Sequence, residues 1–267
     1  MTDANPLGER LKWWRERRGL SQLDLAGIAG TSQRHLSFVE SGRTGASREL
    51  VLRLAAALDL PLRQQNALLL AAGFAPAWRE SKLDAPALAQ VSSALDFMLR
   101  QQEPYPALVV DRRWNLLRAN NGAIRLTEFL LGAVPPGPIN MAEALVSPEA
   151  LRPTLVNWEE VALYFLRGVQ ADALADGTAE TRELLQRLLE FPGVAALSQS
   201  LPAADPQVPI LIMHFRKGSQ SLRLFTTLAI LGTAQDVTVQ EIRVECFFPA
   251  DEAGAELMRS WSRLPPR

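Results

Sequence analysis

Hydrophobic residues near the amino terminus recur at helical spacing. Leu7, Leu11 and Trp14 fall at i, i+4 and i+7, which predicts a helix over Asn5–Arg18 with one buried face. Gly19 follows directly and is typical of a helix end. The chain therefore opens on an amphipathic helix.

Four more short helices are predicted within the first 75 residues by the same period and by polar residues that cap helix N-termini. Their expected ranges are Ser21–Ala29, Thr31 or Ser32 to Gly42, Ser47–Leu58 and Pro61–Gly73. In the second helix, Leu25 and Ile28 are expected to face inward. Together, the five helices predict an all-α domain over residues 1–75.

The pattern changes after a connection at residues 76–86, which separates this domain from a second one over residues 87–267. The predicted helices lie at Ala87–Gln102, after Asn120 or Asn121, at Pro148–Ala175, at Thr178–Glu190 and at Ala253–Ser262. The predicted strands lie at Ala107–Val110, Trp114–Ala119, Val208–Phe215, Leu222–Leu231 and Val237–Phe248. Helices framed by strands in this order predict an α+β domain with an antiparallel sheet.

The amino-acid composition is that of a globular protein and excludes some kinds of site. Hydrophobic residues make up 48% of the 267 positions and charged residues 21%, an ordinary globular balance. A single cysteine, Cys246, excludes an intrachain disulfide and a Cys-based zinc site. Neither a membrane-spanning stretch nor a secretory signal is visible, so a cytoplasmic protein without membrane contact is expected.

Charge is unevenly distributed. Residues 1–80 contain 11 Lys and Arg against 8 Asp and Glu, whereas the remainder contains 17 against 21. A basic amino-terminal domain on an acidic body indicates nucleic acid as a partner of the first domain.

Two helices joined by a turn at Gly30 have the arrangement of a helix-turn-helix. The second helix, Ser32–Ser41, would place its amino-terminal side chains against base edges in the major groove. Gln33 suits adenine, Arg34 suits guanine, and Ser32 suits either base. Gln22, Arg43 and Arg48 are candidate contacts to the phosphate backbone. The alternative is a scaffold with a merely solvated helix face.

The segment LGERLKWWRERRGLSQLDLAGIAGTSQRHLSFVESGR resembles the XRE/Cro-type, lambda-repressor-like helix-turn-helix of bacterial and phage repressors. That resemblance implies double-stranded DNA as the partner and places Gln22, Ser32, Gln33 and Arg34 at DNA-contact positions. It makes Ser37, Arg43 and Arg48 backbone contacts. Gly45-Ala46 departs from the family pattern, which has a bulkier residue and proline there.

Three further segments resemble the MmyB-like regulator subfamily: SRELVLRLAAALDLPLRQQNALLLAAGFAPAW, PALVVDRRWNLLRANN and LGTAQDVTVQEIRVECFFPADEA. In that subfamily an XRE-type domain precedes a PAS-like ligand-binding domain. The resemblance implies a DNA-binding transcription regulator whose second domain binds a small, apolar, fatty-acid-like effector.

Five residues are candidates for lining the effector pocket: Trp158, Phe165, His214, Thr226 and Cys246. Alternation in the last strand predicts Ile242, Val244, Cys246 and Phe248 on one face. An apolar sheet face under helices that carry Trp158, Tyr164 and Phe165 could enclose a cavity. The alternative for the aromatic residues is ordinary core, and for His214 a hydrogen-bonded core or edge position. Cys246 is a small buried hydrophobe or, alternatively, a redox sensor.

No hydrolase, metalloprotease or nucleotide-binding motif is present, and the chain has two histidines, His35 and His214. We therefore expect no catalytic residues, no metal and no cofactor. The leading hypothesis is a homodimeric regulator on a palindromic operator, tuned by the effector. The alternatives are a DNA-tethered protein-interaction module without a small ligand, and an enzyme fused to a DNA-binding domain.

Overall fold

The computed structural model describes residues 5–199 and 210–261. The chain divides into two compact units. The first is Met1–Ser81 with Thr233–Gln240, and the second is Lys82–Gly232 with Glu241–Arg267.

The first unit contains the five predicted helices, which confirms that part of the fold prediction. They are α1 Pro6–Arg17, α2 Gln22–Ile28, α3 Gln33–Glu40, α4 Arg48–Ala57 and α5 Leu62–Ala71. Asn5, Ser21, Ser32 and Ser47 cap the first four, because each side chain accepts a hydrogen bond from a backbone N–H of the first turn. The polar residues that begin the helices in the sequence therefore do so in the structure.

The core of this unit is built from the apolar stripes of the helices. Its fully buried residues include Leu11, Leu25, Leu36, Leu54 and Leu68. Ile28 was expected to face inward, and this was wrong, because 61% of its surface is exposed. Helix α2 turns Leu25, Ala26 and Ala29 toward the core instead, so the position four residues after Leu25, and not three, is buried.

The second unit is an α+β domain, as predicted. Its helices are α6 Ala89–Gln102, α7 Asn121–Leu131, α8 Met141–Val146, α9 Trp158–Asp176, α10 Ala179–Glu190, α11 Val194–Ser198 and α13 Glu252–Trp261, with α12 Val237–Glu241 beginning in the first unit. Its strands are β1 Ala107–Val110, β2 Leu116–Ala119, β3 Met213–Lys217, β4 Gln220–Ile230 and β5 Arg243–Pro249. They form one antiparallel sheet in the order β2-β1-β5-β4-β3.

Side chains on both faces of this sheet are buried. On one face, Val109, Ile242 and Val244 pack against Leu95 and Leu99 of α6. We call the opposite face of the sheet the large-core face. It carries Leu108, Val110, Leu222, Leu224 and Phe247, which join the core formed with α7, α9 and α10. The predicted alternation along β5 is thereby confirmed, because Val244 and Phe247 face opposite cores.

The last predicted strand, Val237–Phe248, was too long. Its first part is the short helix α12, and the strand begins at Arg243. Apolar residues alternate at Val237 and Val239, which mimics a strand, but the Asp236 carboxylate accepts a hydrogen bond from Thr238 N at 2.9 Å and begins a helix there. Local capping therefore overrides the alternating pattern.

The predicted helix Pro148–Ala175 also began too early, because α9 starts at Trp158. A single 3-10 turn around Pro153 precedes it, consistent with the missing N–H of proline. The short helices α8 and α11 were not predicted. Strand β3 starts at Met213 and runs past Phe215 to Lys217; residues 208–209 and Ser262 of the predicted elements lie outside the described residues.

The region predicted as a linker, residues 76–86, is divided at Ser81. The Asn66 side chain of α5 accepts hydrogen bonds from Ala77 N and Trp78 N at 2.9 and 3.0 Å. Residues 233–240, which the prediction gave to the second domain, belong to the first unit: Gln240 Oε1 accepts from Leu62 N at 2.8 Å and so caps α5. Sequence order alone gives no sign of this return of the chain.

Candidate DNA-recognition helix and effector-binding face

Helix α3 has one buried side and one exposed amino-terminal turn. Leu36 and Val39 are buried in the core of the first unit, whereas Ser32, Gln33 and Arg34 are all exposed. Ser32 Oγ accepts a hydrogen bond from His35 N at 3.1 Å and fixes the start of the helix. The structure thus presents a carboxamide and a guanidinium side by side, in the chemistry that base edges require.

Phe38 organises two of the predicted cationic contacts. The Arg34 guanidinium lies 5.4 Å from the centroid of its ring, and the Arg43 guanidinium lies 5.6 Å from it. Such cation–π contacts hold both arginines close to the surface of α3. Phe38 was not among the predicted site residues, although its position four residues after Arg34 on a helix was a usable signal.

Glu40 connects α3 with α1 and α2. Its carboxylate accepts hydrogen bonds from Arg15 Nε and Nη2 at 2.7 and 3.0 Å, and from Gln22 Nε2 at 2.8 Å. Gln22 was predicted to contact phosphate, and the structure shows its amide group held by Glu40. Among the other predicted contacts, Ser37 is half-buried on α3, while Arg43 and Arg48 are exposed in the loop after α3 and at the start of α4.

The five predicted pocket residues do not lie together. Thr226 of β4 lies on the large-core face, since it pairs with Phe247. Phe165 of α9 packs in the same core, with its ring 4.2 Å from that of Trp114. Trp158 packs at the edge of this core and donates from Nε1 to Leu145 O at 3.1 Å. Tyr164 of α9, expected over the sheet, is exposed instead.

His214 and Cys246 lie on other surfaces. The His214 ring bonds to Ser221 Oγ at 2.7 Å on β4, and its strand neighbours Met213 and Phe215 face the large core. Cys246 packs with the residues under α6. Burial, and secondarily the charge of Glu245, raises the pKa of the Cys246 thiol, which disfavours the thiolate that a redox sensor needs.

Glu245, which was not among the predicted site residues, lies where the large-core face opens to solvent. It pairs with Leu108 of β1 on one side and with Leu228 of β4 on the other. Leu108 is buried, whereas Leu228 and Ile230 are 48% and 67% exposed. The carboxyl group therefore lies between a closed apolar wall and an open apolar edge.

The environment of Glu245 favours its protonated form. The side chain remains partly accessible, yet burial raises its pKa to about 7, and a hydrogen bond from Thr226 only partly offsets that effect. Thr226, a predicted pocket residue, is thus the hydrogen-bond partner of this carboxyl group.

Trp114 supplies the second unusual polar group near this face. It is 6% exposed, and its Nε1–H is the one buried side-chain donor without a hydrogen-bond partner in residues 5–199 and 210–261. The ring lies 5.6 Å from the guanidinium of Arg243, the neighbour of Glu245 on the same face of β5. An unpaired buried donor costs roughly 1–3 kcal/mol, which a bound acceptor would recover.

Glu245→Gln should stabilise the protein at alkaline pH. Because the folded-state pKa of about 7 exceeds the ordinary value of 4.5, the folded state retains a proton that the unfolded state has lost, and stability falls as pH rises through this range. A neutral glutamine avoids this loss. We expect the variant to gain about 2 kcal/mol at pH 8 and almost nothing at pH 4, allowing for partial exposure of the group.

Urea unfolding of both proteins at the two pH values measures this gain. Glu159→Gln, which removes an exposed carboxylate from α9, is the matched control and should change little at either pH. An equal gain for both variants at pH 8 would mean that general charge reduction, and not the site of Glu245, is responsible.

Comparison with known proteins matches both parts of the chain. Residues 6–68 match a helix-turn-helix domain family, and residues 91–260 match the ligand-binding domain family of MmyB-like transcription regulators. The restriction-modification controller protein C.AhdI from Aeromonas hydrophila is a similar solved structure, with 35% identity, 24% of this chain and 98% of that chain covered, and a TM-score of 0.23.

No curated protein matches the chain. None of the helices in the described part is long and apolar enough to cross a bilayer. The ligand-binding family match alone spans more than half of the sequence and includes β1, β5 and α9. With its helix-turn-helix domain in front of this region, the chain belongs to the MmyB-like transcription regulators.

Proposed function

We propose that this protein is a homodimeric, effector-responsive regulator that reads a palindromic operator through α3. The observation that carries the proposal is the exposed turn Ser32-Gln33-Arg34 on a helix whose opposite side is anchored by buried Leu36 and Val39. In a dimer, two such helices would lie about 34–36 Å apart, one turn of duplex DNA. Arg43 and Arg48 would add contacts to the phosphate backbone.

The effector is proposed to be small and largely apolar, of the fatty-acid type, and to bind on the large-core face of the sheet. Support comes from the half-buried Thr226 and Glu245 and from the exposed side chains of Leu228 and Ile230 along the same edge. Phe165 and Trp114 would form the apolar wall. His214 and Cys246 are not included, because they lie on other surfaces.

Regulation would follow from linkage between the two sites. If the effector changes the affinity for the operator by some factor, the operator must change the affinity for the effector by the same factor. This relation holds whether the effector strengthens or weakens binding to the operator, so the same measurement applies to a repressor and to an activator.

Selection from a random duplex library with the intact protein tests the proposal. We expect an enriched site with two inverted half-sites, and binding of one dimer per site in native mass spectrometry. Recovery of DNA without any preferred sequence would overturn operator recognition, and a single half-site bound by one chain would overturn the dimer.

A further inference from the structure

The chain leaves the second unit between strands β4 and β5 and then returns to it. The residues of this connection that belong to the first unit are Thr233–Gln240, which we call the inserted segment. Strand β4 ends at Ile230 and β5 begins at Arg243, and these two residues pair with each other in the sheet. Two antiparallel strands need only about two to five residues to connect them, so the inserted segment does more than close a hairpin.

Arg79 and Ser81 hold the middle of the inserted segment within the first unit. Val237 N donates a hydrogen bond to Arg79 O at 2.8 Å, and the buried carboxylate of Asp236 accepts one from Ser81 N at 3.3 Å. The side chains of Val237 and Val239 are buried as well. The inserted segment is therefore a packed part of the first unit.

Gln240, the last residue of the inserted segment, caps helix α5. Its Oε1 accepts a hydrogen bond at 2.8 Å from the backbone N–H of Leu62, the first residue of the helix. Helices α1 to α4 are capped by the residue that precedes each of them, whereas Pro61 makes no side-chain cap for α5. Leu68 of α5 and Leu36 of α3 share one core. The order of α5 therefore contributes to the support of the candidate recognition helix.

The residues directly after the inserted segment are fixed in the second unit. Glu241 Oε2 lies 3.4 Å from Arg112 Nε, and Arg243 donates from Nη1 to Asp172 of α9 at 2.6 Å. Because Gln240 and Glu241 are consecutive, a single peptide unit, with about 3.8 Å between the two Cα atoms, separates the cap on α5 from these ion pairs. A shift of the start of β5 is therefore transmitted to Gln240.

We propose that the inserted segment couples effector binding to operator binding, with Gln240 as the residue that transmits the change to α5. This inference rests on the proposed function, in which the effector binds on the large-core face beside β4 and β5. Coupling requires two states with different contacts. Here the states differ in the hydrogen bond between Gln240 Oε1 and Leu62 N, which one state makes and the other lacks. Movement of β4 and β5 around the effector switches between the two states.

Operator affinity of the full chain, measured with and without saturating sodium decanoate, tests the coupling. Fluorescence anisotropy of the selected operator gives the two dissociation constants, and the larger divided by the smaller is the coupling factor. Gln240 is exposed, so substitutions there leave the core intact. Gln240→Met keeps the length of the side chain without its acceptor oxygen, and should reduce the coupling factor about fivefold, the effect of losing one helix cap. Gln240→Glu keeps an acceptor oxygen and should retain the coupling factor.

An insertion tests the mechanical connection separately from the cap. Gly-Ser-Gly placed between Gln240 and Glu241 leaves the acceptor oxygen in place but separates it from β5, and should bring the coupling factor to about one. The same insertion after Gly137, in an exposed loop of the second unit, is the matched control and should leave the factor unchanged. Ser47→Ala removes the cap of α4, and should lower stability without changing the factor. Circular dichroism melting of each variant reports folding.

Hydrogen exchange reports the first turn of α5 directly. In the wild type, decanoate should change the protection of a peptide that covers residues 61–66. In Gln240→Met, decanoate should leave the protection of this peptide unchanged, because the bond to Leu62 N is absent in both states.

The outcomes separate this inference from the proposed function. If decanoate shifts operator affinity equally in the wild type, in folded Gln240→Met and in the folded variant with the insertion after Gln240, the inserted segment is not the coupling element, and the effector-responsive regulator stands. If decanoate does not bind the wild type, or binds without changing operator affinity, effector regulation is overturned together with this inference.

Discussion

Replacing both Gln33 and Arg34 with alanine should abolish selective binding to the enriched operator while leaving the fold intact. Both side chains are exposed, so the core of Leu36 and Val39 is undisturbed. A bidentate contact to a base contributes about 1–3 kcal/mol of discrimination, which is about fivefold to 150-fold for each residue. A mobility shift with operator and scrambled duplexes measures the ratio of the two affinities.

The separate contributions of these residues are distinguishable by their salt dependence. Loss of Gln33 should reduce selectivity without changing the slope of affinity against salt, since no charge is removed. Arg10→Ala, an exposed arginine of α1, is the matched control for the loss of charge at Arg34 and should keep the selectivity. Selectivity that survives the double substitution would exclude the amino-terminal turn of α3 as the reading element.

The first unit could be predicted closely because its signals are local. Helix starts at Ser21, Ser32 and Ser47 depend on side chains that bond to the backbone three residues away. Which residues are buried is harder to predict from local signals. Ile28 and Ala29 are neighbours at the end of α2, yet their side chains point about 100° apart, and only Ala29 faces the core. The Glu40 cluster joins residues 25 positions apart, and no period in the sequence reports such a contact.

In the second unit, the sheet was predicted from the sequence, but the arrangement of the candidate site was not. The alternation of side chains along β4 and β5 follows from the pleat of a strand and could be read from the sequence. The neighbours of Glu245, however, are Leu108 and Leu228, and these depend on the order of the strands and on pairings between distant parts of the domain. Trp114 was counted as a strand residue. In the structure it lies in the turn before β2, with φ +64°, and this backbone conformation is uncommon for a bulky residue.

Glu40→Ala should destabilise the first unit by about 3–5 kcal/mol, because it leaves the guanidinium of Arg15 buried without its counter-charge. The two side chains are only 10% and 4% exposed. The hydrogen bond to Glu40, together with its charge, raises the pKa of Arg15. Arginine keeps its proton at neutral pH even without this carboxylate, so in the variant Arg15 cannot escape the loss by becoming neutral. Denaturant unfolding followed by circular dichroism measures the change in free energy.

The double variant Arg15→Met/Glu40→Leu separates the cost of an unpaired charge from the value of the pair. Removing both charged groups together should recover most of the lost stability, since apolar residues of similar size often replace a buried ion pair at little cost. Operator affinity should not recover equally, because Gln22 also donates to Glu40 and would lose the partner that positions it at the start of α2. Recovery of both properties would show that Glu40 acts only on stability and has no part in arranging the DNA-binding surface.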